Sequence, residues 1–580
     1  MLSKEQLEDK NRITHFGVTD FRGSAEKFGI KADDRTRHMY VIGKTGMGKS
    51  TMLENMAIQD IQNGEGLCFI DPHGTTAEKL LKYVPKERLD DVVYFAPFDT
   101  KYPVGLNILE HVDEDYRHLV ASGLMDTFKK VFGEDVFSGR MVYLLNNAIL
   151  SLLENEGESM MGINRIYADK DYRKKIISNV KDPALLAFWN EEFAKYEDKY
   201  VREASAAIQN KIGQFIMTPL IRNIIGQKHT SFDVRKLMDE RKILICNFSI
   251  GQTGSENVNL IGSLLITKIY LAAMSRANLK EEELKKAPNF YFYVDEFQNF
   301  VNDSFAQILS QARKYNLGLV IAHQYTEQLT DNVKAAVFGN VGSMLTFRVG
   351  AGDAELLEKE FAPQFTADDI VNLGARQIYL RLSIDGVGSK PFSARTMPPI
   401  ETPEDDYVPA VIAISRASYA KEKVAAQEEV TTWYEPVVKP MPRKANNESL
   451  SESKNINYAE SRIEDKAKVQ AVSKSYPQTY PQTFPKVEIK KVYAPLGSME
   501  DIDQNKIKEK PQNKNNHNRE DVKGYNNENK KQAHSPLREA LRVAMELDVK
   551  KEKSENKNRN ISIGTNIDDK KLNDLLNLEE

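Results

Sequence analysis

The amino-acid sequence predicts an α/β fold: a central, mostly parallel sheet, an inserted all-α domain and a disordered C-terminal tail. Three observations predict it. Short, uninterrupted apolar runs alternate with helical periodicity before about residue 110 and again after about residue 232, the pattern of strands buried on both faces and joined by crossover helices. Between these stretches the periodicity is helical only. Beyond about 437 large aliphatic residues thin out and Asn, Lys, Glu and Gln take over, a composition that cannot bury enough apolar surface to offset the entropy of ordering.

In chain order, residues 1–37 lead into the core. Residues 38–42 read as a strand, 49–63 as a helix, 66–70 as a strand, 76–83 as a helix and 92–95 as a strand. The insertion, 111–231, is helical because Leu144, Ala148 and Leu152 share one face, and helices are expected again over 184–195 and 204–216. Strand runs return at 243–247, 290–294, 318–322 and 344–348. The core is thus divided into 38–110 and 232–400, and a helical segment over 401–436 precedes the tail, 437–580. Within the tail, 476–485 repeats Tyr-Pro-Gln-Thr with polyproline character, and 536–547 has the spacing of an amphipathic helix of about three turns.

Charge excludes some classes of partner. With 80 basic and 84 acidic residues the net charge is -4, so no whole-chain nucleic-acid signature exists and any such contact must be local. Cys68 and Cys246 sit in apolar strand runs and are expected as buried thiols, with no disulfide framework or zinc site. The first dozen residues are polar, which excludes a signal peptide there. Residues 260–274 are the best membrane candidate, but the run is short and is broken by Ser263, Thr267, Lys268 and Tyr270. A cytoplasmic protein is expected, reaching the inner membrane only through partners.

The strongest chemical signal is Gly43-Lys44-Thr45-Gly46-Met47-Gly48-Lys49-Ser50, followed by Thr51. It fits G-x-x-x-x-G-K-[ST] between a predicted strand and a predicted helix, the context a P-loop requires. Glycines let successive N–H groups curl around phosphate oxygens, and the helix N-terminus adds its positive end. Gly43, Thr45, Gly46, Met47, Gly48, Lys49, Ser50 and Thr51 are therefore the expected ATP-binding residues, with Lys49 on the β- and γ-phosphates and Ser50 on Mg²⁺. This makes the α/β core RecA-like.

Such a loop needs a carboxylate at a neighbouring strand end. Phe290-Tyr291-Phe292-Tyr293-Val294 ends in Asp295-Glu296. Asp295 is expected to attend Mg²⁺; Glu296, pointing the other way along the pleat, is expected to be the general base for water. Asp71, at another strand end, reads equally as a turn residue or a site residue. Gln324 ends the following strand, where its amide is placed to sense the γ-phosphate, the alternative being an ordinary satisfied strand-end amide. Arg313 precedes that strand; its guanidinium suits the γ-phosphate of a neighbouring subunit, against a plain surface ion pair. Arg348 is a second, weaker candidate for the same role.

Together these residues resemble the FtsK/HerA superfamily of ring-forming pumping ATPases, in particular the TraG/TraD-type coupling ATPases of conjugative type IV secretion. The likeness runs from about Phe16 to Trp433. It includes Phe28-Gly29-Ile30-Lys31, Arg35-Thr36-Arg37-His38-Met39, Asp71-Pro72-His73-Gly74, Asp295-Glu296, and Ala312-Arg313-Lys314-Tyr315 through His323-Gln324. The resemblance implies a homo-hexamer with single- or double-stranded DNA in its channel, the helical insertion at the cytoplasmic mouth, an arginine at Arg313 acting across the subunit boundary and a phosphate-sensing glutamine at Gln324. Membrane-bound members carry N-terminal transmembrane helices, which this sequence does not show at its start; the tail is then expected to reach membrane-bound secretion or DNA-transfer machinery. Two other functions share the same site: a secretion or pilus-assembly ATPase acting on protein, and a nucleotide-regulated scaffold without turnover.

Overall fold

The computed structural model describes residues 2–20, 25–110 and 112–436. The Tyr-Pro-Gln-Thr repeat and the 536–547 helix lie outside the described residues. The strands are β1 (Ile13–Thr19), β2 (Lys27–Lys31), β3 (Met39–Ile42), β4 (Gly66–Asp71), β5 (Val92–Phe95), β6 (Ile243–Asn247), β7 (Phe290–Val294), β8 (Leu317–His323), β9 (Ser343–Thr346), β10 (Gln377–Arg381), β11 (Ser383–Ile384), β12 (Val387–Gly388) and β13 (Phe392–Thr396).

All but the β11–β12 hairpin join one 11-stranded sheet in the order β2-β1-β13-β10-β9-β3-β8-β7-β4-β6-β5. From β9 to β5 every pairing is parallel. From β9 outward through β10, β13, β1 and β2 every pairing is antiparallel. The central parallel strands are buried along their whole length, which is why their sequences are continuous apolar runs without alternation.

The pleat sends alternate residues into two separate apolar layers. Met39, Val41, Leu67, Phe69, Tyr291 and Tyr293 pack with Met52, Leu53 and Met56 of the helix Lys49–Asn63. Tyr40, Ile42, Cys68, Ile70, Phe292 and Val294 face the other layer, which is continuous with the core of the helices between Arg117 and Ile225. Cys68 and Cys246 are both buried and free.

Helical structure departs from the sequence pattern in two places. Residues 184–195 are not one regular helix: Pro183–Ala187, capped by Asp182, passes into a π turn at Phe188–Glu192 and a 3-10 turn at Phe193–Lys195. The wider turn lets Phe188, Trp189 and Phe193 cluster, with Trp189 and Phe193 centroids 4.8 Å apart. The apolar run at 260–274 belongs to a longer helix, Ser255–Met274, because five more residues open it. The stretch Ser255–Asn278 is long and apolar enough to cross a membrane by length and composition, but 72% of its most apolar window is buried inside the protein. Burial at that level marks a core helix.

The last described helices return to the body. Ser415 of Val408–Tyr419 accepts the Tyr94 N–H of β5 at 2.8 Å. At the end of Lys423–Trp433, the Trp433 indole donates to Glu158 at 3.0 Å in the helical region.

Candidate active site

At the C-terminal edge of the sheet, β3 runs into the glycine loop and the loop into the helix Lys49–Asn63. The loop is fastened from both sides: Gly43 N–H donates to the His323 carbonyl at 3.3 Å and Lys44 N–H to the Arg348 carbonyl at 2.8 Å. Gly46 and Gly48 take φ of 78° and 115°, left-handed conformations that a side chain would strain. A Cβ at Gly46 would meet nothing within 4 Å, so the loop is open on that side. Among the described residues, the N–H groups of Thr45, Gly46, Gly48, Lys49, Ser50 and Thr51 have no acceptor. A curl of unpaired donors at a helix N-terminus fits a polyphosphate.

Lys49 is buried and its Nζ donates to the carbonyls of Gly43 at 2.6 Å and Lys44 at 3.4 Å. Burial lowers its pKa, against the pull of Glu296 and Asp295. The other half of the site comes from the end of β7, two strands from β3 in the order β3-β8-β7. Ser50 Oγ donates to Asp295 Oδ2 at 2.7 Å, so the hydroxyl and the carboxylate converge on one point. Burial pushes the Asp295 pKa up to about 6, with Glu296 and Asp71 adding to the rise while Ser50 and Lys49 oppose it. A buried carboxylate with raised proton affinity beside a half-buried hydroxyl suits a hard divalent cation such as Mg²⁺, which would favour the ionised form.

Glu296 is not arranged as strand alternation predicts. The strand ends at Val294, and Glu296 takes φ 48°, ψ 49°, the left-handed turn that starts Phe297–Asn299. This turn, rather than the pleat, aims its carboxylate. Both oxygens are held: Gln324 Nε2 donates to Oε1 at 2.9 Å and Gln298 Nε2 donates to Oε2 at 2.8 Å. Gln298 was not legible as a site residue, because its approach depends on the left-handed turn; its position two residues after Glu296 is the only signal.

The remaining residues separate. Asp71 accepts the N–H groups of His73 at 2.8 Å and Ala77 at 3.0 Å, the structural-turn alternative, while its charge still reaches Asp295. Arg348 lies beside the loop and lends it its carbonyl. Arg313 is exposed at the opposite edge, before β8, where its charge acts on His38 at the start of β3. The intervening strand has 7 residues, roughly 20 Å, so Arg313 cannot reach the glycine loop of its own chain. Arg376, unnoticed in the sequence, has φ 64° and donates its N–H to the Met47 carbonyl at 3.0 Å.

Arg35 explains why the two halves stay in register. It is buried, with Nη1 and Nη2 each 2.7 Å from an Asp60 oxygen in the helix after the loop. Nη2 also donates to the Tyr293 hydroxyl at 2.6 Å, on β7 just before Asp295.

A parallel core with a glycine loop after one strand, and a carboxylate at the end of a strand one removed, defines a P-loop ATPase of the RecA-like type. The family model for the type IV secretion-system coupling protein DNA-binding domain matches residues 25–364. The chain belongs to that family. A search of curated proteins returns no match. Among solved structures, the bacterial conjugative coupling protein TrwBdeltaN70 in an unbound form is 18% identical, covering 69% of this chain and 93% of that one with a TM-score of 0.46. Plasmid coupling protein TrwB in complex with ADP and Mg²⁺ is 17% identical, covering 70% and 95% with a TM-score of 0.48. VirB4 of Thermoanaerobacter pseudethanolicus is 13% identical, covering 66% and 96% with a TM-score of 0.43.

Proposed function

We propose that this protein is an ATP-hydrolysing motor that moves DNA for type IV secretion or a related transfer, working as a homo-hexameric ring. The observation that carries the hydrolytic part is the convergence of Ser50 and Asp295 beside a Glu296 gripped by two amides. Membership of the coupling-protein family supports DNA as the load.

In this reading the free N–H groups of Thr45, Gly46 and Gly48 through Thr51 and the Lys49 ammonium bind the triphosphate. Lys49 exchanges its loop carbonyls for phosphate oxygens. Ser50 and Asp295 hold Mg²⁺, which supplies charge neutralisation at the phosphates when bound. Glu296 orients the attacking water and takes its proton, with Gln324 and Gln298 fixing the carboxylate. Arg313, out of reach of its own loop, acts on the neighbouring subunit's γ-phosphate. That assignment requires a ring. We place the protein in the cytoplasm, with residues 437–580 docking to membrane-bound transfer machinery; deletion of the tail with unchanged localisation would remove that part.

The test is ATPase activity at low salt with single-stranded DNA, duplex DNA and no DNA, alongside oligomer mass. Phosphate contacts are strongest at low salt, so stimulation by at least one DNA is expected there and should fade as salt rises. Absence of stimulation by either DNA would remove the translocase reading and leave an ATPase with another load.

A further inference from the structure

The segment that carries Glu296 is held from outside the sheet. Lys130, on the helix Arg117–Phe132 in the helical region, is half-buried and its Nζ donates to the Gln298 carbonyl at 2.5 Å and to the Val301 carbonyl. Between them, the Phe300 carbonyl accepts Ser263 Oγ at 3.0 Å from the core helix Ser255–Met274. A Cβ at Gly262 on that helix would lie 2.2 Å from the Phe300 ring, so Phe300 is seated directly on its backbone. Three carbonyls within four residues are thus gripped by two helices from different parts of the chain. Gln298 links this grip to the chemistry: its backbone carbonyl is on Lys130 while its side-chain amide is on Glu296.

The Lys130 contact is also where the structure has room. An open cavity of about 420 Å³ is lined by Asp126, Lys129, Lys130, Gln298 and Gln328 among others. Helix Arg117–Phe132 therefore has space on this side, whereas Phe300 on Gly262 has none.

We propose that Lys130 is a positioning residue through which the helical region sets the Glu296 carboxylate. A shift of helix Arg117–Phe132 moves the Gln298 backbone, and Gln298 carries that shift to Glu296. Load on the helical region, wherever it is applied, is thereby read at the residue that takes the proton. The inference rests on the reading of Glu296 as general base. Burial lowers the Lys130 pKa to about 8, because desolvation disfavours the charged ammonium.

The experiment uses the full chain with Lys130→Met, Gln298→Leu, the double variant and Glu296→Gln, measuring kcat and the Kd of ATP for each. Lys130→Met is expected to lower kcat by about ten-fold or more with the ATP Kd within about two-fold, because only proton transfer is misaligned. The double variant is expected to match the worse single variant, since both changes break one chain of contacts. A kcat for Lys130→Met within two-fold of wild type, or a double variant whose loss is the product of the two single losses, overturns the proposal. Should Lys130→Met fail to fold, Lys130→Gln, which keeps a donor on a shorter stem, carries the same comparison. Wild-type turnover in Glu296→Gln would instead sink the reading of the site; an inactive Glu296→Gln beside an unaffected Lys130→Met sinks the Lys130 role alone.

Discussion

Gln324, one residue beyond β8, donates its amide to Glu296, two residues beyond β7, across 2.9 Å. Two adjacent strands are thereby joined at their site ends by a single hydrogen bond, and the residue expected to sense phosphate is in contact with the residue expected to prepare water. A phosphate that competes for the Gln324 amide would release one oxygen of Glu296. Gln324→Ala should lower kcat by roughly 10- to 100-fold, the range seen when a group that orients a reacting residue is lost, while leaving ATP affinity near wild type. Equal losses of affinity and turnover would show that Gln324 serves binding instead.

Arg35 is a stability element. Removing it by Arg35→Met leaves Asp60 buried without its bidentate partner, with only the Tyr293 hydroxyl still donating to it, and leaves that hydroxyl without the Arg35 donor. Breaking a buried pair from one side costs about 3–5 kcal/mol. Urea unfolding of the variant should show a loss of that order, and a change under about 1 kcal/mol would mean the network is relaxed or hydrated.

Lys268 gives a pH signature remote from the active site. Its Nζ donates to the Asn107 carbonyl at 2.7 Å, and burial lowers its pKa to about 8 against the opposing charges of Glu110 and Asp233. Because the folded pKa lies below the unfolded value, the unfolded chain holds more protons between about pH 8 and pH 10.5, and stability from this group rises with pH across that window. Wild type should gain about 3 kcal/mol relative to Lys268→Met over it. Parallel melting curves for the pair would reveal instead that the ammonium stays solvated.

Arg313 should act only between subunits. Arg313→Ala is expected to retain ATP binding and lose turnover by roughly 10³-fold or more, as for other arginines supplied in trans. Mixing it with Lys49→Ala subunits, each dead alone, should restore partial activity, because some interfaces then pair an intact loop with an intact arginine. Mixtures that stay dead at every ratio would contradict the shared site.

The parallel core was legible because strands buried on both faces leave uninterrupted apolar runs: β5, β6 and β7 and the helix Lys49–Asn63 fall where the runs and the glycine loop put them. The antiparallel flank was not read. Its strands are half-exposed, with polar residues such as Lys27, Gln377 and Arg381 in the pattern, though Gln377-Ile378-Tyr379-Leu380-Arg381 does alternate as a one-sided strand should. Within the site, the motif and strand-end carboxylates brought Lys49, Ser50, Asp295 and Glu296 together in advance. Gln298 and Arg376 escaped because each owes its place to a left-handed backbone turn, at Glu296 and at Arg376 itself, which no side-chain pattern announces.

The most direct measurement is steady-state ATP turnover and ATP retention by Glu296→Gln beside wild type, each with and without DNA. If the glycine loop and the β7 carboxylates form one engine, the variant binds Mg²⁺–ATP and keeps it, with turnover down by about 10²-fold or more. Turnover within two-fold of wild type would show that water is prepared elsewhere, and the assignment of Glu296, with the roles built on Gln324, Gln298 and Lys130, would fall together.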